Sequence, residues 1–218
     1  MASKWLTAVV ATTLVTMMGG VQAAAFTEIG DAGESISTAT ITSAASTSVP
    51  LTNIFGSLAS ASDADLFLIN VTDISAFSAT TVNSDTSVDT QLFLFSSTGQ
   101  AIYFNDDDPG GLSLQSTLPA GSLLGPTSTG LYYLGIAPLG YDPIDFASQL
   151  LFVLGAPTDV LGPATSNTLS SFFPSFLGSG GTYTINLTGA TAAVPEPASV
   201  MGFLALGAAF GCKKRTKS

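Results

Sequence analysis

Histidine is absent from the 218 residues, and lysine and arginine together number five: Lys4, Lys213, Lys214, Arg215 and Lys217. Between Trp5 and Cys212 there is no positively charged side chain, while all fifteen acids lie between Glu28 and Glu196. This one-sided charge excludes nucleic acid as a partner, because binding it requires cations that neutralise phosphates. It also excludes ion pairs within the body of the chain, so any buried carboxylate must be met by backbone N–H groups, hydroxyls, water or a metal ion. Strand edges lose their usual lysine blockers, which leaves solubility to the acids and to Ser and Thr. A nucleophilic triad lacks its base. The single cysteine, Cys212, excludes an intrachain disulfide and a thiolate metal site. Without thiolate or imidazole ligands, hard cations with oxygen ligands remain, chiefly calcium.

Long helical periodicity is missing too. From Phe26 to Ala193 the chain consists of short runs rich in Thr, Val, Ile, Phe and Tyr, broken by Gly, Pro, Asn and Asp. These read as strands and turns, with strands expected at 37–43, 54–58, 66–71, 77–82, 91–95, 101–104, 131–137, 150–154 and 182–187. Over 182–187, Tyr183, Ile185 and Leu187 alternate with Thr182, Thr184 and Asn186. Gln91-Leu92-Phe93-Leu94-Phe95 is apolar on both faces, as suits a central strand covered on each side, and Ser96-Ser97-Thr98-Gly99-Gln100 turns it into Ala101–Phe104 as a hairpin. The expected fold class is all-β, an antiparallel β-sandwich, flanked by an N-terminal signal helix and a C-terminal transmembrane helix. A body of roughly 165–170 residues is large enough for one domain with a proper core.

Both ends read as targeting segments. Lys4 precedes an uncharged apolar stretch from Trp5 to Met18, the Gly19-Gly20 pair breaks it, and Val21-Gln22-Ala23-Ala24-Ala25 supplies small residues. This order is that of a secretory signal peptide, with cleavage after Ala23 or after Ala25 both satisfying the small-x-small rule. At the other end, Val194-Pro195-Glu196-Pro197-Ala198 leads into Ser199 to Cys212, apolar or glycine after its first residue, and then the basic run Lys213-Lys214-Arg215-Thr216-Lys217-Ser218. As a helix, Ala198 to Cys212 spans about 22 Å against a hydrocarbon core of roughly 30 Å. Snorkelling Lys and Arg stems make up part of the difference, and the basic end favours a cytoplasmic C-terminus. Gly202, Ala205, Gly207, Ala208, Ala209 and Gly211 would let a second helix approach closely.

This tail resembles the PEP-CTERM sorting signal of bacteria, which orders a Pro-Glu-Pro motif, an apolar helix and a basic end. Pro195, Glu196 and Pro197 match the motif letter for letter, whereas the basic end is mostly Lys where the family commonly favours Arg. The resemblance implies recognition by a membrane-embedded exosortase-type processing enzyme that cleaves near the motif and releases the protein to the surface.

The body resembles a second family. Asp63-Ala64-Asp65-Leu66-Phe67-Leu68-Ile69 is similar to the Asp-x-Asp-x-Phe strand of bacterial pre-peptidase C-terminal (PPC) domains. Asp89–Phe95 and Asn105–Asp108 resemble that family's middle hairpin, Gly130-Leu131-Tyr132-Tyr133-Leu134 its Gly-x-Tyr-Tyr-Leu strand, and Gly181-Thr182-Tyr183-Thr184-Ile185 its closing strand. Glu28 and Asp31 stand where the family has an acidic entry segment. The resemblance runs from about Thr27 to Leu187 and departs from the family at 142–180, a long Gly/Pro/Phe-rich insertion. In that insertion Leu150–Leu154 adds a strand and Phe172-Phe173-Pro174-Ser175-Phe176 covers an end of the sandwich, or else the stretch is a poorly ordered loop. The organisation expected is therefore a signal peptide at 1–25, a PPC-like sandwich at 26–191 and a sorting and anchor segment at 192–218.

Two acidic groups are candidate sites. Asp63 and Asp65, two apart in a strand, point to the same side, and with Glu28 and Asp31 they lack any protein cation to neutralise them. PPC-like collagen-binding domains bind calcium at the corresponding positions, so the resemblance implies one calcium ion held by Glu28, Asp31, Asp63 and Asp65. The second group is Asp106, Asp107 and Asp108 ahead of Pro109-Gly110-Gly111. It is either a solvated turn or a cation loop, and it is not an EF-hand, since the required Gly and the closing Glu are missing.

The functional expectation is an exported surface or extracellular-matrix protein with a non-enzymatic structural or adhesive role, in contact with the membrane through its tail helix and with extracellular polysaccharide as a candidate partner. Two alternatives are a carbohydrate- or protein-ligand module using the aromatic-rich stretch from Tyr141 to Phe176, and a carboxylate-dependent hydrolase using Asp142 and Asp145. Those two acids, beside Pro143, read more simply as turn formers.

Overall fold

The computed structural model describes residues 23–43, 49–176 and 178–193; residues 1–22 of the expected signal segment and the Pro-Glu-Pro tail with the apolar stretch after it lie outside the described residues. Among the described residues no helix forms. The chain runs through β1 (Ala24–Thr27), β2 (Thr40–Ile41), β3 (Leu51–Leu58), β4 (Asp65–Val71) and β5 (Ser78–Thr80). It continues through β6 (Thr90–Ser96), β7 (Ala101–Asn105), β8 (Thr117–Leu118), β9 (Gly130–Pro138) and β10 (Tyr141–Ile144). It closes with β11 (Val160–Leu161), β12 (Ser171–Pro174), β13 (Gly181–Thr188) and β14 (Ala190–Ala192).

Two sheets face each other in a sandwich-like arrangement. The smaller has the order β1-β3-β13-β5-β8 and the larger β11-β7-β6-β9-β4-β14, with β2 also paired to β4. All pairings are antiparallel except β1 with β3 and β2 with β4. The inner faces obey the strand period: Ile54 and Leu58 of β3, Phe67, Ile69 and Val71 of β4, Leu92 and Leu94 of β6, Leu134 and Ile136 of β9, and Tyr183, Ile185 and Leu187 of β13 form one buried core. Burial of apolar surface at roughly 25 cal/mol per Å² makes this core the main stabilising element.

The expected hairpin is present. β6 pairs antiparallel with β7, Gly99 closes the turn at a φ of 85°, and its N–H donates to the Ser96 carbonyl at 2.9 Å. That positive φ lies in the left-handed region, where a Cβ is strained. β6 lies between β7 and β9, and its two apolar faces divide as the sequence pattern requires: Leu92 and Leu94 point into the sandwich, Phe93 and Phe95 away from it.

What covers Phe93 and Phe95 is the insertion, which is ordered from Asp142 to Phe176. β10 and β12 form a small separate sheet, and Tyr141, Leu151, Phe152, Leu169 and Phe172 pack on Leu66, Phe93, Phe95 and Phe104 as a second core. The ring of Phe93 lies 5.6 Å from Phe104, 5.6 Å from Phe152 and 5.9 Å from Phe172. The molecule therefore has a third layer on the outer face of the larger sheet. Two details differ from expectation. Leu150–Leu154 forms only isolated bridges, Ile144 with Leu150 and Phe152 with Pro163: Leu151 and Phe152 turn into the second core while Val153 and Leu154 face outward, and the backbone follows a loop. Phe172 covers a face of the sandwich and not an end, since β12 pairs with β10 in register with Pro143. The insertion also lays β11 along β7, and β2 and β14 line β4 at the opposite edge. The larger sheet is thus covered at both edges by short strands, a substitute for the missing lysines.

Candidate functional site

The first acidic centre forms where the end of β1 meets the start of β4. Glu28 follows β1 and is held by its N–H donating to the Phe55 carbonyl at 2.9 Å. Asp65 opens β4 and is fully buried; its Oδ1 accepts from the Ala32 N–H at 3.3 Å and its Oδ2 from the Tyr183 hydroxyl at 2.6 Å. The same hydroxyl lies 3.4 Å from Glu28 Oε2, which also accepts from the Ser57 N–H at 3.0 Å. Asp63 is buried and accepts from the Ala59 N–H, and exposed Asp31 accepts from the Gly33 N–H at 2.6 Å. One carboxylate oxygen each of Asp31, Asp63 and Asp65 lies within 4.8 Å of the others.

Glu28 is not within that threefold group. It stands beside it, joined through Tyr183, and its Oε1 is buried with no hydrogen-bond partner among the described residues. Gly56 makes this approach possible: a Cβ there would lie 2.2 Å from the Tyr183 oxygen and 2.4 Å from Glu28 Oε2. Burial pushes the Asp65 carboxyl up to about 8; the Tyr183 hydrogen bond opposes this, while Glu28 and Asp63 add to it. Burial raises Glu28 as well. Tyr183 rises above the ordinary phenol value, through burial first and then the Asp65 charge.

Sequence reasoning missed two members of this neighbourhood. In the sequence Tyr183 stands out only as one face of an alternating strand, although a buried tyrosine hydroxyl requires a polar partner. Glu34 accepts from the Tyr141 hydroxyl at 3.0 Å and is raised by burial, with Asp63 and Asp31 contributing further.

The second acidic centre has a different membership from the one expected. Asp89, Asp106 and Asp107 each bring an oxygen within 4.8 Å of the others. Asp108 is turned elsewhere, its Oδ1 accepting from the Thr117 hydroxyl at 3.1 Å and its Oδ2 from the Gly110 N–H at 3.2 Å. β6 and β7 are the two strands of one antiparallel hairpin, so the residue just before β6 and the residues just after β7 lie at the same end of the pair. Asp89 Oδ1 and Asp106 Oδ1 are buried without a partner among the described residues. Burial pushes Asp106 up to about 7, with Asp107, Asp89 and Asp142 adding to the shift, and raises Asp89 in the same direction.

Asp106 also lines a cleft of about 180 Å³ together with Gln91, Phe104, Asp142, Leu154 and Phe176. Leu154 and Phe176 are exposed at its rim. Asp142 accepts from Gln91 Nε2 at 3.3 Å and from the Ser175 hydroxyl. Asp145, the other half of the hydrolase pair, is committed to its own loop: Oδ1 accepts from the Ala147 and Gln149 N–H groups at 2.8 and 2.9 Å, and Oδ2 from Asn167 Nδ2 at 2.6 Å. It borders a different cavity, with Phe146 and Asn167. The two carboxylates do not converge on one space, and Asp145 keeps the turn-forming role. Pro195, Glu196 and Pro197 lie outside the described residues. Comparison with protein-family models, curated proteins and solved structures finds no match to this chain.

Proposed function

We propose that this protein is exported and sorted through its Pro195-Glu196-Pro197 tail, and that it serves at the cell surface or in the extracellular matrix as a non-enzymatic structural or adhesive module. The observation that carries this reading is the division of charge: every cation lies in the two end segments, and every acid but Glu196 of the Pro-Glu-Pro motif lies between them. Basic residues flanking apolar segments suit the cytoplasmic side of a bilayer, and a wholly acidic body suits the outside. The sandwich is read as PPC-like because the four similar motifs fall on β4, on the β6–β7 hairpin, on β9 and on β13. Mass spectrometry of the surface-released protein tests the sorting step. The expected C-terminus lies near Pro197, with the apolar helix and basic end removed; intact chain recovered from the cytosol would overturn the reading.

The first acidic centre is proposed to hold calcium. Its donors are all oxygens, the body offers no cation of its own, and Glu28 Oε1 is buried with no partner among the described residues. Asp31, Asp63 and Asp65 would ligate the ion, with Glu28 beside them adding negative charge through its link to Tyr183.

One observation favours a second reading, ligand binding by the insertion. The cleft beside Phe176 combines an aromatic and an aliphatic wall with carboxylates that accept from hydroxyl or ammonium groups. Neutral or amino-bearing glycans fit that lining, and anionic ones are repelled. On a glycan array, the wild-type protein is expected to retain such glycans, and Phe176→Ala to weaken retention about tenfold, the loss of about 1.4 kcal/mol of contact. Absence of retention by the wild type would remove this second reading and leave the first standing.

A further inference from the structure

We propose that signal peptidase hydrolyses the Ala23–Ala24 bond and not the Ala25–Phe26 bond, so that the mature chain begins with β1 whole. The inference rests on the export reading above and names the processing site which that reading leaves undecided. Both bonds satisfy the recognition rule, one through Val21 and Ala23 and the other through Ala23 and Ala25. The fold separates them.

Strand β1 starts at Ala24. Its N–H donates to the Pro50 carbonyl at 2.8 Å, and its carbonyl accepts from the Thr52 hydroxyl at 3.2 Å. Ala24 pairs with Leu51 and Ala25 with Asn53, before Phe26 pairs with Ile54. A cut after Ala25 would remove both of the first two pairings and both hydrogen bonds. It would also place an α-ammonium on Phe26, whose ring packs against the core at 6.0 Å from that of Phe67. That charge would sit on a residue whose side chain is held at the core, and no acid on β1 or on its partner β3 offers to pair with it. A cut after Ala23 consumes one water and leaves a carboxylate on Ala23 and an ammonium on Ala24. That ammonium stands at the strand's first residue and still donates to the Pro50 carbonyl. Edge strand β1 then covers β3 along its whole recorded register.

The test uses the full chain expressed in an exporting host, with the N-terminus of the released protein read by intact mass and terminal sequencing. The expected first residue is Ala24. A second variant, Ala25→Leu, keeps both small residues needed for the cut after Ala23 and destroys the one immediately before the alternative bond. Ala25 is exposed on β1, so the fold accommodates the change. Processing of Ala25→Leu is expected to proceed as in the wild type, again giving Ala24 at the terminus. A wild-type terminus at Phe26, or accumulation of uncut Ala25→Leu, would overturn this inference and leave export intact. A wild-type terminus at Met1 would overturn the inference together with the export reading.

Discussion

Chelation with EDTA is expected to lower the melting temperature by about 5–10 °C relative to millimolar calcium, and the loss should grow as pH rises. A cation at one hundred times its dissociation constant stabilises the folded state by about 2.7 kcal/mol, and a domain of this size shifts about 2–4 °C per kcal/mol. The pH dependence follows from the direction of the carboxyl shifts. Asp65 is raised to about 8 by burial, and Glu28, Glu34, Asp89 and Asp106 are raised with it. In the unfolded chain these groups ionise near pH 4, so between about pH 4 and 8 the folded state binds more protons than the unfolded one. Metal-free stability therefore falls as pH rises through that window, and it is fully restored on the acid side. Calcium held by the ionised carboxylates is expected to flatten the dependence. Asp65→Asn imitates the protonated acid and can still accept from the Tyr183 hydroxyl. In EDTA at pH 8 it should melt above the wild type, while losing the response to calcium. Thermal melts of both proteins across pH, with and without the ion, check all of this. An identical midpoint in EDTA and calcium for the wild type would dismiss the metal.

Phe93→Ala is expected to cost about 3–5 kcal/mol, the largest loss from any single truncation on the outer face of the larger sheet. Phe93 is 1% exposed, stacks with Phe95 and Phe104 from its own sheet, and meets Phe152 at a tilt and Phe172 edge-to-face from the third layer. Its removal leaves a cavity at the junction of the two layers. Because the loss falls on that junction, cleavage by added protease within 142–176 should speed up before the sandwich itself melts. Phe173→Ala, next to Phe172 on β12 of the third layer but 55% exposed, serves as the control and should stay within about 0.5 kcal/mol of the wild type. Denaturant melts and timed proteolysis distinguish the two. Equal stability of the two variants would show that the third layer contributes nothing to the fold.

The strands most legible from the amino-acid order were those whose side chains alternate or whose both faces are apolar. β13 shows the alternation of Tyr183, Ile185 and Leu187, and β6 the double-sided apolar run, and both lie where the pattern requires. The short strands β8, β10, β11, β12 and β14 were not legible, because two to four residues carry no period and pair only through distant partners. The acidic centres divide along the same line. Asp63 and Asp65 were readable as a pair facing one way, although β4 begins only at Asp65, whereas Asp89 met Asp106 and Asp107 because the hairpin brings the start of β6 and the end of β7 together. Asp108, adjacent in sequence, turned to Thr117 instead.

Composition and local residue order determined the one-sided charge, the exclusion of imidazole and thiolate chemistry, and the all-β character, since each depends only on which residues exist and on their local period. Tertiary structure alone decided that the insertion becomes a third layer on Phe93 and Phe95, that Tyr183 bridges Glu28 and Asp65, and which aspartates converge. Those outcomes depend on contacts between residues far apart in the chain, such as the 155 positions separating Glu28 from Tyr183. No local pattern encodes such contacts, because the free energy that selects them comes from packing the whole molecule at once.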